Sequence, residues 1–175
     1  MTTDLTNAND AASDNAVTTL LKGAIAGLAA TWLMDKGTGF MYEHEDSAAR
    51  EQEDKARGDE TAYEVAADKA AGAIGVTLST DERKKSASTI HWALGATAGM
   101  TYAIIKGDHA KLSTLAGIGF GAVFWAVMDE TLTPALGLTP GPKAFPLETH
   151  ARGLAGHAIL GAALDTSLAV VDRVI

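Results

Sequence analysis

The sequence predicts an all-α protein: a four-span transmembrane helix bundle with an additional helical polar segment between spans one and two. Three observations lead there. Hydrophobic residues are 47% of the chain and charged residues 21%, but the two are segregated: polar residues crowd into 1–16 and 43–88, and most of the rest is Gly- and Ala-rich apolar sequence. Four apolar runs stand out, each near the roughly 17–20 residues that a membrane crossing takes. Glycines recur at i, i+4 along these runs: Gly23/Gly27, Gly95/Gly99 and Gly117/Gly121, with Gly153, His157 and Gly161 extending the spacing in the last run. In water each such glycine disfavours a helix by about 1 kcal/mol against alanine. Between membrane helices, small residues let backbones approach closely.

Taken in order, residues 1–16 carry acid where a signal peptide carries a basic region, and they read as a disordered polar tail. Residues 17–175 then form a single membrane domain, since 175 residues are too few for two comfortable ones. Span one covers about 17–41, interrupted by Lys22. A polar helical insert at 43–86 follows. Its stretch "TAYEVAADKAAGAIG" sets Tyr63, Ala66, Ala67 and Ala70 on one helical face and ends at Gly72 or Gly75. Ser79 with Glu82 three residues on is a capping box, opening a helix at Thr80 that continues through span two, about 87–106.

The short link Gly107–Lys111 predicts an antiparallel hairpin of spans two and three. Span three, about 112–133, has no charge between Leu112 and Met128, and so lacks the polar face of a soluble-bundle helix. The link 134–146 holds all four prolines and is not regular helix throughout. Span four covers about 149–172.

Net charge −8 excludes a nucleic-acid footprint, and the absence of cysteine excludes disulfides and thiolate chemistry. "GIGFG" lacks the Lys-Ser/Thr of a phosphate loop, no Ser/His/Asp nucleophile is legible, and nothing asks for an enzyme. The implied partner is the lipid bilayer, with a homo-oligomer or larger membrane complex as the expected assembly.

Alternating spans bring one end of each to a common face, and each delivers ionisable side chains there: Asp35, His91, Asp129, Glu130, His150 and Arg152, with His157 about two turns deeper. His91, Asp129, His150 and His157 share the small-residue helix faces, so they point into the bundle. Ionisable residues so placed are expensive, which makes them a functional-site hypothesis with the partner to be named. One reading is structural, Asp35, Asp129 or Glu130 pairing with Lys36 or Arg152. Another is a pH- or ion-responsive envelope protein, in which His157 and Asp165 extend the layer into a titratable line along span four. A third is a divalent metal cofactor on His91, Asp129, Glu130, His150 and His157, which suits by ligand type but lacks any tight spacing. The chain also reads as a membrane-anchored interaction or accessory subunit, with 43–86 as the partner-binding region. "EHED" (Glu43–Asp46) reads as a solvated acidic cluster. Most Lys and Arg lie on the face of 43–88 and the proline link, which predicts that face in the cytoplasm and both termini outside.

The stretches "GLAATWLMDK", "AREQEDKARGDETAYEVAADKAA", "HWALG", "DETLTPALGLTPGP" and "HARGLAGH" together resemble the YagU-like family of uncharacterised bacterial inner-membrane proteins, over about residues 20–171. The resemblance implies a small multi-pass protein of the bacterial inner (cytoplasmic) membrane and carries over no catalytic residue.

Overall fold

The computed structural model describes residues 2–58, 60–107 and 114–174, with side chains from residue 15 onward. The polar tail expected at 1–16 therefore lies, but for its last two residues, outside the residues described in full. Among the described residues there are helices and turns and no strand.

Helix α1 (Thr2–Glu43) is followed by two short amphipathic helices, α2 (Ser47–Arg57) and α3 (Ala62–Ala73), that double back over the end of the bundle. Asp46 caps α2 by accepting from the Ala48 N–H at 2.8 Å. Gly75, at φ 75°, ends α3 in a left-handed turn open to glycine. Helix α4 (Thr80–Lys106) starts with the Ser79–Glu82 capping box, as the sequence indicates. Helix α5 (Thr114–Val127) runs into a π-helical turn (Met128–Leu132) and the single turn α6 (Thr133–Ala135). A 3₁₀ turn (Pro142–Ala144) then leads into α7 (Leu147–Val171).

Among the described residues, three helical stretches are long and apolar enough to cross a membrane: Asn15–Glu43, Thr114–Ala135 and Leu147–Val171. The expectation was four. Helix α4 falls short on composition, since Thr89, His91, Thr97, Thr101 and Tyr102 dilute its apolar residues. Large apolar side chains such as Leu21, Trp32, Leu115 and Val123 are more than half exposed on the outer surface. A helix bundle that is apolar outside as well as inside is a membrane protein by composition.

Helix α1 packs along both α4 and α7, and α7 packs along α5. The expected hairpin of α4 with α5 is not the main pairing. These two helices meet sparsely, chiefly through the Tyr102 and Phe120 rings at 5.2 Å, and the link between them lies outside the described residues. The crossings explain the preference. At Gly99 a Cβ would stand 2.6 Å from the backbone of Gly27, and at Gly121 it would overlap the His157 carbonyl. Backbone meets backbone at both places, so no side chain fits. The core between them is correspondingly slight: Ala26, Ala30, Tyr102, Leu160, Leu164 and Leu168 are its larger or most central members.

Gly99→Leu is expected to destabilise the bundle by about 3 kcal/mol or more, because the neighbour that must move is backbone. Gly119→Leu, at a glycine with open space around it, should leave stability unchanged. Unfolding followed by circular dichroism in a mild detergent separates the two, and equal stability of both variants would refute the close crossing.

Candidate functional site

Asp129 and Glu130 sit in the π-helical turn. Pro134 supplies the local reason: it has no N–H to give the Glu130 carbonyl, and its ring would crowd that carbonyl in a regular α-helix. The chain widens instead. The Thr133 N–H reaches back five residues to the Met128 carbonyl, and the Thr131 hydroxyl donates to the Ala126 carbonyl at 2.8 Å. Adjacent residues of an α-helix diverge by about 100°, yet here both carboxylates line one cavity. Single π turns of this kind recur at functional sites.

The cavity has a volume of about 360 Å³ and lies at the end of the bundle capped by α2, α3 and the proline link. His91, His150 and His157 line it together with Asp129 and Glu130. Each histidine faces a carboxylate from another element. His91 Nε2–H lies 3.1 Å from both oxygens of Asp35, which joins α4 to α1. His150 Nδ1 stands 2.6 Å from Glu130 Oε1, while its Nε2 stands 3.0 Å from the Pro142 carbonyl. His157 Nδ1–H donates to the Gly153 carbonyl at 2.9 Å, and Asp129 Oδ2 lies farther off, at 3.7 Å. Asp35 itself stands behind His91 and does not line the cavity.

Arg152, the remaining member of the expected layer, also does something else. Its guanidinium bridges Glu45 and Glu53 and covers the Tyr42 ring at 4.9 Å. Glu53, on α2, is fully buried and also accepts from Arg57 and from the Thr149 hydroxyl. Burial alone would raise the Glu53 carboxyl, but Arg152, Thr149 and Arg57 together hold it below its ordinary range. This network fastens the polar insert to α7. Glu45 belongs to the "EHED" cluster, so that cluster is not simply solvated: Glu45 pairs with Arg152, and Asp46 caps α2.

The titratable line expected along α7 is interrupted. Asp165 accepts from the Tyr102 hydroxyl at 3.0 Å and from Lys106 at 2.6 Å. It lies about 12 Å beyond His157 along the helix, with buried Leu160 and Leu164 between. The metal reading gains no support from the geometry. Among the described residues, no three His, Asp or Glu side chains gather so that they could hold one ion. The histidines each turn to a separate partner.

Tyr63, Arg57 and Phe145 also line the cavity and were not among the expected site residues. Tyr63 had a signal, since it heads the apolar face of its helix. Burial first, then the Asp129 and Asp35 carboxylates, raise its phenol above the ordinary value, so it is neutral at physiological pH. Arg57 and Glu53 offered none, because a charged i, i+4 pair in a polar stretch reads as surface.

Glu53→Gln should lower the stability of α2 docking by about 3 kcal/mol, since it removes one partner from the largely buried Arg152 guanidinium. The sign with pH follows. A carboxyl held low contributes stability above its ordinary value of 4.5, and loses it as pH falls through the folded-state value. The protection factor over Ser47–Arg57, with the intrinsic pH dependence of exchange divided out, should therefore be flat from neutral pH to about 5 and fall below, and be uniformly low in the variant. Unchanged protection in the variant would contradict the latch.

No curated protein and no solved structure matches the chain. A family model described as "Protein of unknown function (DUF1440)" matches residues 63–166, from Tyr63 through the π turn and past both α7 histidines to just beyond Asp165. That match covers more than half of the sequence, and the chain belongs to the DUF1440 family.

Proposed function

We propose that this chain is a four-span protein of a bacterial inner membrane whose cavity opens and closes with pH, with His150 as the switch. One observation carries the reading. With Glu130 ionised, both nitrogens of His150 face acceptors, a carboxylate and the Pro142 carbonyl. Only the doubly protonated ring can donate to both. A neutral ring must surrender one bond, each being worth about 1.5–3 kcal/mol when charge-assisted.

The charged groups around it are Glu130 and Asp129 from the π turn, Arg57 from α2 and His157 on its own helix. Arg57 is held by Glu53 and leaves Glu130 to His150. The proline link is thus fastened while His150 is charged and freed as pH rises through its titration, ordinarily near 6.5.

The chain has no cysteine, so a single introduced one is a clean reporter. Thr139→Cys, in the cavity wall, should react with a maleimide several-fold faster at pH 8 than at pH 5, after correction for thiolate fraction. Adding His150→Gln should flatten that ratio. A ratio that persists in the double variant would sink the proposal.

The fourth span in this reading is α4, whose support is its backbone-to-backbone crossing with α1 at Gly27 and Gly99. Four crossings would leave both termini on one side, and the Lys/Arg excess supports the cavity, α2 and α3 facing the cytoplasm. The YagU-like resemblance supports the same compartment. In intact cells, an impermeant maleimide should label Arg173→Cys and spare Glu51→Cys. Labelling of both, or the reverse pattern, would overturn the topology.

A further inference from the structure

We infer that the cavity is a binding site for a small lipophilic organic cation, an amine or quaternary ammonium, with Asp129 as its counter-ion. Among the described residues the Asp129 carboxylate accepts no side-chain or backbone hydrogen bond. Its nearest cationic candidate, His157 Nδ1, lies 3.7 Å away and already gives its hydrogen to the Gly153 carbonyl. Every other carboxylate in or beside the cavity has a close partner: Glu130 has His150, Asp35 has His91, and Glu53 has Arg57 and Arg152. One negative charge is left over.

The walls around it are aromatic and apolar. Trp125 stands beside Gly153 on the Asp129 side, Phe124 lies 5.9 Å from the His157 ring, and the Tyr63 ring lies 5.0 Å from His91. Met34, Leu94 and Leu160 also line the cavity, beside several threonines. Aromatic faces attract a cation, most of all one that has already shed water. The alternatives fare worse on charge. An anion would meet Asp129 and Glu130 together, while the only guanidinium in the lining, Arg57, is occupied by Glu53. A neutral hydrophobe would desolvate Asp129 and leave it unpaired, which is costly. A bare metal ion lacks a gathered ligand set among the described residues. The volume of about 360 Å³ falls in the range of small-molecule sites.

This inference shares the cavity with the pH-responsive reading, but the two fail separately. Binding is measured at one fixed pH, and the pH response is measured without any ligand. The full chain in zwitterionic nanodiscs is titrated calorimetrically with benzyltrimethylammonium and, in parallel, with phenylacetate. The cation should bind and the anion should not. Asp129→Asn should weaken cation binding by about tenfold or more, while Asp81→Asn, an equal charge change on the exposed first turn of α4, should leave it unchanged. Should Asp129→Asn not fold, the Thr139→Cys reporter decides in the otherwise native chain: benzyltrimethylammonium should slow its alkylation and phenylacetate should not. Equal binding of both probes, no binding of the cation, or unaltered affinity in a folded Asp129→Asn variant would overturn the assignment.

Discussion

The backbone-on-backbone crossing of α5 with α7 is the constraint on which the site depends. At Gly121 the two chains stand so close that the His157 carbonyl occupies the place of a side chain. One helical turn farther toward the cap, the helices must part to admit the Trp125 ring beside Gly153. Beyond it the π turn carries Asp129 and Glu130 out to the histidines. A bulkier residue at Gly121 would thus do more than lower stability. It would open the angle between α5 and α7 and move both carboxylates away from His150 and His157. The glycine pair Gly27/Gly99 does the same for Asp35 and His91 on the other side of α1.

Because the helix contacts are so small, side-chain burial supplies little of the positioning. Polar groups supply the rest. In a low-dielectric bundle each charged group needs a partner, and the partners sit on different elements: His91 with Asp35, Lys106 with Asp165, Lys22 with Asp172, Arg152 with Glu45 and Glu53. Pairs of this kind are weak evidence for stability, since desolvation offsets most of their attraction. Their effect here is registry: each one fixes the axial offset of two helices that glycine stripes alone would let slide.

The physical reasons also decide what was legible in the sequence. Helix α4 could be located to its first residue because a capping box is local chemistry, read from Ser79 and Glu82 alone. The grouping of His91, Asp129, Glu130, His150 and His157 at one cavity was legible too, because alternating helices bring those depths together. The partner of each was not, since depth along a helix says nothing of rotation about it. Arg152 shares the depth of His150 but faces Glu53, and Asp165 shares the face of His157 but lies an apolar layer away. The role of Glu45 and Glu53 was illegible for another reason: their partner lies some hundred residues on, across a turn whose path no local signal encodes. The π turn had a visible cause in Pro134, but proline announces only that the α register breaks. The pairing of α5 with α7 and not with α4 rests on which glycine stripe meets which, and all the stripes look alike in sequence.

The distribution of charge separates Asp129 from the rest of the layer. If the layer were purely structural, its acids and bases would cancel locally, as Glu130 and His150 do. Asp129 breaks that pattern. It is carried into an aromatic-walled space by a turn that costs the helix its regular register, next to a histidine whose hydrogen is committed to its own backbone. The Asp129 side chain is 43% exposed within the cavity, so water meets it where no side chain does. Among the described residues its nearest cationic group is His157 at 3.7 Å, and that open side is where the proposed ligand would sit. In the proposed reading His150 acts on the same cavity from the other side: contacts to Glu130 and to the Pro142 carbonyl would hold the wall closed beside Asp129.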